Sequence, residues 1–350
     1  MTRKIDEPSA IGSRNAVSRR IVLSGMVAAP MVLKGFSPAR AQSLRTLKMA
    51  AQNPLQLSDY PAFIAQHFGM FKKYGLNAEF TLAANAMLPL LAGEIDVTTV
   101  GPLNGLLPIN RKQDFQFIAI TVQRVTASII VRPDSPIVPI AHKWPDVFNA
   151  LRGKQLGVTI PGGLNDLVAR FVSSKAGLKP DKDITITPAG DAVVLMGNLE
   201  KGLYDAAMQV SPLFERAVER KVAVTVMDFY KGEGPSPEMT LIAGASPGTR
   251  KTFAEKNPDV INNYIKAMQE AVDFAVKPEN KKEMTDVIAK ELKTEAALLE
   301  RPMETFIAAV ARNVKFSRAQ WDVSVDCMKV NGIIQDAPSY EDGVFVGARA

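Results

Sequence analysis

Cysteine and histidine are scarce in this chain. Its 350 residues include one Cys, Cys327, and two His, His67 and His142. A single Cys cannot form an internal disulfide, and metal sites built from His and Cys need a cluster that neither His has nearby in the sequence. We therefore expect no bound metal and no catalytic His or Cys, and we expect Cys327 to be a small buried apolar side chain.

A basic face is also missing from most of the chain. The formal net charge is +6, but seven of the 42 Lys and Arg and only two of the 36 Asp and Glu lie in residues 1–41. Residues 42–350 therefore hold 35 basic and 34 acidic side chains and are close to neutral. This balance argues against a nucleic-acid partner. The chain also has no G-x-x-x-x-G-K-[ST] phosphate loop, so we do not expect it to hydrolyse nucleotides.

The chain has no apolar run long enough to cross a membrane. The stretch 21–36 is interrupted by glycine, proline and lysine and is shorter than the ~20 apolar residues that a span needs. It follows the pair Arg19-Arg20 and precedes the small-x-small box Ala39-Arg40-Ala41, an arrangement typical of a twin-arginine export signal. We predict that residues 1–41 are this signal and that the remaining chain is periplasmic. No Cys follows the box, so we expect no lipid anchor.

Two segments of the sequence repeat one order of elements. Residues 44–101 and 153–212 each predict strand, helix, strand, helix and strand, the order of a parallel sheet with helices on both faces. In each segment both helices end at a Gly, and Gly93-Glu-Ile-Asp in the first corresponds to Gly202-Leu-Tyr-Asp in the second. A chance match is the alternative, because any turn from a helix to a strand favours Gly followed by Asp.

Proline-rich segments separate these repeats. The segment 132–136, after two strand-like runs, and the segment 228–237 predict two crossings between an N-terminal and a central lobe. The chain then predicts a strand at 239–245 and a mostly helical remainder. Within that remainder a helix starts at Pro258 and carries Ile261, Ile265, Met268 and Val272 on one face. The predicted domains are a signal peptide at 1–41, a first lobe at 42–132 and 237–350, and a second lobe at 133–236.

The order and spacing of several short motifs carry a family resemblance. They include "FGMFKKYGLNAEF", "LLAGEIDVTTVGP", "LRGKQLGVTIPGG" and "LEKGLYDAAMQVSP". With them the chain resembles the periplasmic solute-binding proteins of ABC importers, in the branch of nitrate, sulfonate, taurine and thiamine-pyrimidine-precursor binders. The resemblance implies the type II periplasmic-binding-protein fold, an α/β fold with two lobes, a hinge of two crossings and extra C-terminal helices.

The resemblance also implies a function. Such proteins bind one small solute by hinge closure, need no cofactor, and present the closed form to an ABC permease and its ATPase, which are separate chains. We expect a monomeric receptor for a small organic anion, either a sulfonate, taurine-like or nitrate-like solute or a carboxylate. The alternatives are a thiamine-pyrimidine-precursor binder, which would use acidic and aromatic side chains, and a fold-related enzyme. The enzyme is disfavoured because Cys327 lies outside every loop expected at the cleft.

Ligands bind beyond the carboxyl ends of the strands in an open parallel sheet. The resemblance places ligand loops there on the following positions: Gln52, Asn53, Tyr60, Asn85, Gly101, Asn104, Arg124, Gly162, Gly163, Asn165, Gln209 and Ser211. Among these, Asn104 offers a side-chain donor and Arg124 a guanidinium that can grip a carboxylate or sulfonate with two hydrogen bonds. Turns, helix caps and solvated surface groups are the alternative interpretations. The family often has Gly-Ser-Gly where this chain has Ala84-Asn85-Ala86, which argues against a strongly bound sulfonate or nitrate.

Overall fold

The computed structural model describes residues 44–52, 56–83 and 85–350. The predicted export signal and Asn53 lie outside the described residues. Within them ten strands are found: β1 (Arg45–Gln52), β2 (Leu76–Ala83), β3 (Val97–Val100), β4 (Gln116–Phe117), β5 (Ala127–Val131), β6 (Gln155–Val158), β7 (Thr185–Pro188), β8 (Ala206–Val210), β9 (Val224–Asp228) and β10 (Ser246–Thr249).

Fifteen α-helices are found in the same residues, eight of them before β9 and seven after it. They are α1 (Tyr60–His67), α2 (Met70–Lys73), α3 (Met87–Ala92), α4 (Pro102–Asn110), α5 (Asp146–Asn149), α6 (Leu164–Lys175), α7 (Ala192–Glu200), α8 (Leu213–Glu219), α9 (Glu238–Leu241), α10 (Lys251–Lys256), α11 (Pro258–Ala275), α12 (Lys281–Leu292), α13 (Glu300–Ala309), α14 (Arg318–Val330) and α15 (Tyr340–Gly343).

The strands form two five-stranded sheets with one topology. The first has the order β2-β1-β3-β10-β4 and the second the order β7-β6-β8-β5-β9. In each sheet the first three strands are parallel, because helices connect them, and the fourth strand is antiparallel to its neighbours. The predicted repeat of strand, helix, strand, helix and strand is therefore confirmed in both segments.

The repeat extends to individual hydrogen bonds. Asp96 follows α3, and its Oδ2 accepts a hydrogen bond from the backbone N–H of Lys48 at 3.0 Å, while its own N–H donates to the Lys48 carbonyl at 2.8 Å. Asp205 follows α7 and makes the same two bonds with Gln155, at 2.9 Å and 3.0 Å. Each Asp thereby joins the start of the third strand to the first strand of its sheet.

In each repeat an arginine packs against the glycine that ends the helix before the third strand. Gly93 and Gly202 end α3 and α7 in the left-handed conformation, with φ of 82° and 76°. The guanidinium of Arg250, just after β10, lies against Gly93, and that of Arg132, just after β5, lies against Gly202. Both cations thus sit at the negative end of a helix dipole.

Three predicted elements differ in the structure. The first helix predicted in residues 44–101 is divided into α1 and α2 because Gly69 between them has a φ of 71°. The strand expected at 239–245 is wrong: its first residues belong to α9, and the following strand is β10. The first crossing was expected at 132–136, yet β5 already pairs with β8 and β9 of the second sheet, so the chain changes sheets before Ala127. Residues 42–350 cluster as one compact unit, and the predicted lobe bounds stay a prediction.

The C-terminal helices pack across both sheets. The apolar stripe predicted on α11 is confirmed, since its four residues are at most 6% exposed. Helix α14 packs against α4, which follows β3, and against α6, which follows β6. From α14 the Asn331 Nδ2 donates to the carbonyl of Leu167 at 3.0 Å. Helix α14 therefore contacts both α4 and α6, the two helices that begin at the predicted cleft.

Candidate binding site

The two sheets approach each other where α4 and α6 begin. Gly101 is the N-cap of α4, and a Cβ placed on it would lie 3.8 Å from Cδ2 of Leu164, the first residue of α6. The carboxyl end of β3 in the first sheet therefore lies against the start of the helix that follows β6 in the second. We call the region between Gly101 and Leu164 the helix junction. It brings Gly101 and Asn104 to the start of α6, where the predicted ligand residues Gly163 and Asn165 flank Leu164 in the chain, and a ligand role for these residues stays a prediction.

Both helices at the junction begin without a capping side chain. Gly101 caps α4, which has nine residues, and Gly163 caps α6, which has twelve. By contrast, α7 begins at Asp191, whose carboxylate accepts hydrogen bonds from Val193 N–H at 2.6 Å and Val194 N–H at 3.1 Å. Pro102, the first residue of α4, has no N–H, but the other first-turn N–H groups of α4 and α6 have no capping side chain, and the two positive dipole ends lie in one region.

On the first sheet's side the junction continues into a groove. This groove, the α3–α4 groove, has a volume of about 400 Å³. Its walls include Asn85, Leu88 and Leu91 from the α3 segment and Asn104, Leu107 and Arg111 from the α4 segment. The Asn85 Oδ1 accepts a hydrogen bond from Met87 N–H at 3.1 Å, which orients the start of α3. Two of the predicted ligand residues, Asn85 and Asn104, are therefore brought together in one groove.

On the second sheet's side the predicted residues are largely buried. Gly162 has a φ of 70°, and its N–H donates to Asp166 Oδ2 at 2.8 Å. The Asp166 carboxylate, in the first turn of α6, also forms an ion pair with Arg170 at 2.8 Å, and this cation offsets its negative charge. Asn165 is 5% exposed, its Nδ2 donates to the Met208 carbonyl at 3.4 Å, and its Oδ1 is buried with no protein partner. An orphaned amide oxygen at the junction can accept a hydrogen bond from a ligand.

Two further predicted residues lie at the end of β8. Gln209 is fully buried, and its Nε2 donates to the carbonyl of Ala192 at 3.4 Å, which links β8 to the start of α7. The Ser211 hydroxyl donates to Glu215 Oε1 at 2.6 Å. Their side chains are engaged within the protein, so they shape the cleft wall more than they offer donors to a solute.

Glu215 is a candidate residue that the sequence interpretation missed. It is 4% exposed on α8, and its Oε1 also accepts a hydrogen bond from the Thr305 hydroxyl of α13 at 2.8 Å. Its Oε2 is buried with no hydrogen-bond partner. Burial is the main cause that raises the pKa of Glu215 to about 7, against the lowering effect of the two hydroxyls. The spacing of Ser211 and Glu215 by four residues at a helix start is the sequence signal that could have found it.

Two predicted residues lie away from the helix junction and the groove. Tyr60 is 1% exposed, its ring packs edge-on against Phe306 with centroids 5.4 Å apart, and burial raises the pKa of its hydroxyl. Arg124 lies in the connection between the sheets, where its Nη1 donates to the carbonyl of Tyr230 at 3.3 Å and its Nε is buried without a partner. Tyr60 is thus packed in the interior and Arg124 contacts the second crossing, and a ligand role for either stays a prediction.

The first strand contributes little that can be described. Gln52 ends β1 and pairs with Ala83 of β2, but only its backbone is described. Asn53 lies outside the described residues. A ligand role for either residue stays a prediction.

One described cluster has the composition of a metal site. The ligand atoms of His142, Asp228 and Glu233 lie within 4.8 Å of one another. Asp228 is already engaged, since its Oδ1 accepts from the Ser128 hydroxyl and its Oδ2 from Lys231 Nζ, both at 2.7 Å. Glu233 pairs with His142 at 2.9 Å. These pairs account for the cluster, and the absence of a metal stays a prediction.

Cys327 is buried on α14, as predicted, and its Sγ lies 3.8 Å from the carbonyl oxygen of Leu167. Burial raises the pKa of its thiol. A protonated, enclosed thiol is a poor nucleophile.

Known proteins match this chain in sequence and in fold. The NMT1-like family matches residues 45–289. The nitrate/nitrite binding protein NrtA from Nostoc sp. is 22% identical over 270 residues, which are 72% of this chain and 59% of that protein, so the chain covers less than two thirds of this relative. Among the described residues no helix is both long and apolar enough to cross a membrane.

Solved structures share the architecture. The periplasmic aliphatic sulphonate binding protein SsuA from Escherichia coli superposes with a TM-score of 0.68 at 17% identity, covering 87% of this chain and 99% of that chain. The periplasmic nitrate-binding protein NrtA from Synechocystis PCC 6803 superposes with a TM-score of 0.57 at 18% identity, covering 73% and 69%. These neighbours confirm the predicted periplasmic-binding-protein fold, and each relative is named for binding, which agrees with the expectation that the chain is not an enzyme. The chain belongs to the NMT1-like family.

Proposed function

We propose that this protein is an exported, periplasmic receptor of an ABC importer that binds one small organic anion between its two sheets. The observation that carries the proposal is the helix junction, where α4 and α6 begin at glycines without capping side chains. Each helix start is equivalent to roughly half a positive charge, and an anion between them would satisfy both sets of free N–H groups. One helix follows a strand of the first sheet and the other a strand of the second. An anion held there contacts both halves at once.

Contact with both halves gives a physical reason for closure. A solute that binds the closed arrangement better than the open one shifts the population toward the closed form by that difference in affinity. The two crossings between the sheets are the segments that would bend. We expect the radius of gyration in solution scattering to fall when the solute is added, and an unchanged radius with a saturating solute would exclude hinge closure.

The charge at the junction can be tested with two nearly identical substitutions. Gly101 has an extended backbone, with φ of −65° and ψ of 139°, which Asp and Asn both adopt as helix N-caps. Gly101→Asp adds a negative charge at the junction, and Gly101→Asn adds a neutral side chain of the same size. Measured by titration calorimetry with alkylsulfonates and carboxylates, the Asp variant should bind at least tenfold more weakly than the Asn variant. Equal loss in both variants would show that the junction does not hold an anion.

A second solute class has one observation in its favour. The buried Glu215, with an unpartnered Oε2, resembles the acidic groups that a thiamine-pyrimidine precursor would need. A thermal-shift screen with sulfonates, carboxylates and aminopyrimidines separates the two proposals, because bound solute raises the melting temperature. Turnover of any of these compounds by the protein alone would instead support a fold-related enzyme.

Export is proposed from the sequence of residues 1–41. Replacing Arg19 and Arg20 with lysine should keep the precursor in the cytoplasm if the twin-arginine route is used. N-terminal sequencing of the exported protein should begin at Gln42. The permease and ATPase are proposed as separate chains, and the receptor itself as a monomer without a lipid anchor.

A further inference from the structure

The α3–α4 groove suggests which kind of organic anion the receptor takes. The inference rests on the proposed function and adds to it. We propose that the solute is an elongated organic dianion whose first anionic group lies at the helix junction, whose apolar body lies in the α3–α4 groove, and whose second anionic group meets Arg111.

The size and walls of the groove require an organic body. Its volume of about 400 Å³ lies within the range of about 300 to 1,000 Å³ that is usual for small-molecule sites. A single inorganic oxyanion at the junction would leave most of this volume unused. The middle of the groove is apolar, with Leu88, Leu91 and Leu107 in its walls. Leu88 is 68% exposed, so its side chain is accessible to an apolar group in the groove.

The charge of the groove favours a second anion at its far end. None of the groove's lining residues is acidic, and Arg111 is its one charged member. The guanidinium of Arg111 has no ion pair or hydrogen bond to a described residue. The nearest acid in the sequence, Asp114, is hydrogen-bonded to Thr252 instead: its Oδ1 accepts from the Thr252 N–H at 3.0 Å and its other oxygen from the Thr252 hydroxyl.

The length of the solute follows from the helix. Asn104 lies near the junction and Arg111 seven residues further along α4, which corresponds to roughly 10 Å at about 1.5 Å per residue. A chain of about eight carbons separates two terminal carboxylates by a similar distance. Each methylene buried in the groove should tighten binding about fourfold.

The second repeat has an acidic side chain where the first has a neutral one. Its equivalent of α3 is α7, and the position that corresponds to Asn85 is Asp191, whose carboxylate occupies the start of α7. A negative side chain there repels a second anion, whereas the neutral Asn85 does not. The dianion therefore extends along the first unit and not along the second.

The test compares ligands that differ by one charge or by length. Octanedioate, octanoate, butanedioate and nitrate are titrated by calorimetry into the mature protein, into Arg111→Gln and into Arg220→Gln. Arg220 is an exposed arginine at the end of α8, outside the groove, and serves as the matched control. We expect octanedioate to bind at least tenfold more tightly than octanoate in the unaltered protein and in the control, and the two ligands to bind equally in Arg111→Gln.

A second pair of variants tests the apolar body. Leu88→Gln should weaken octanedioate but leave butanedioate unchanged, and Leu203→Gln, at a 58% exposed Leu in the second unit, should change neither. The inference is overturned if the preference for octanedioate over octanoate persists in Arg111→Gln, or if octanedioate and butanedioate bind equally.

The outcomes separate this inference from the proposed function. One outcome is that short anions such as nitrate and butanedioate bind as tightly as octanedioate, with binding abolished by Gly101→Asp and not by Gly101→Asn. In that case the proposed anion receptor is supported and the proposed elongated dianion is rejected. If no anion binds the unaltered protein, both proposals fall.

Discussion

Glu215 gives the sharpest test of the buried charges near the cleft. Its carboxyl is almost fully buried between α8 and α13, and burial raises its pKa from an ordinary 4.5 to about 7. Below about pH 4.5 both the folded and the unfolded chain carry the proton. Between about pH 4.5 and 7 the folded chain keeps it while the unfolded chain loses it. The free energy of unfolding therefore falls as the pH rises through this window, and above pH 7 the whole destabilising effect is present.

The size of the effect follows from the two pKa values. A rise from 4.5 to about 7 corresponds to about 3 kcal/mol of unfolding free energy. Glu215→Gln removes the titration but keeps an oxygen that accepts the hydroxyl hydrogen bonds of Ser211 and Thr305. The difference in unfolding free energy between the variant and the unaltered protein should therefore shift by about 3 kcal/mol in favour of the variant between pH 4.5 and 8.

The assay is urea unfolding at half-unit steps of pH, followed by circular dichroism. The difference between two proteins is used because every other titrating group is common to both. Glu219→Gln, on the exposed face of the same helix, is the control and should run parallel to the unaltered protein. If Glu215→Gln is also parallel over the whole range, Glu215 is ionised in the folded protein and the reasoning from its burial is wrong.

Three further predictions concern stability and reactivity. Gly105→Ala on α4 should lower the free energy of urea unfolding by about 1 to 3 kcal/mol, because the new Cβ would lie 2.3 Å from a ring carbon of the buried Phe117. Gly197→Ala on α7 should raise it by about 0.5 to 1 kcal/mol, because a Cβ there meets nothing within 4 Å. If both variants are stabilised, or both destabilised, the reasoning is wrong. Asp96→Ala and Asp205→Ala should each cost about 1 kcal/mol and should add in the double variant to within about 0.5 kcal/mol, since they make the same contacts in different sheets. The Cys327 thiol should react with an aromatic disulfide reagent only after unfolding in urea, and rapid reaction of the folded protein would show that it is not enclosed.

The architecture could be predicted from the sequence because its signals are local. Glycines that end helices, and an Asp that begins the next strand, recur at matched places in both units, and the structure shows the same hydrogen bonds at Asp96 and Asp205. The stripe on α11 is equally local, since its spacing follows from one helix. Sheet membership is not local. The strand β5 has no sequence feature that selects β8 and β9 as its partners, and for this reason the first crossing was placed too late.

The site was harder to predict because its contacts join distant parts of the chain. Glu215 meets Thr305 across 90 residues, and no periodicity in the sequence relates the two. The Arg124 guanidinium is a group that can bind an anion, but it lies against the backbone of the second crossing, where it donates to the Tyr230 carbonyl. Gly101 and Gly163 were both among the predicted ligand positions, and the structure places Gly101 against Leu164, the residue after Gly163.

The two units share a backbone and differ in the side chains at their strand ends, and this difference gives the site a direction. At the end of β3 the chain continues with Gly101 and a neutral groove that leads to Arg111. At the corresponding end of β8 it continues with Ser211 and the buried carboxyl of Glu215. In the proposed receptor a solute would extend along the first unit, because in the second unit the Asp191 carboxylate occupies the start of α7. The repeat supplies two strand edges, and in the proposed receptor a few differing side chains would decide along which edge the solute extends.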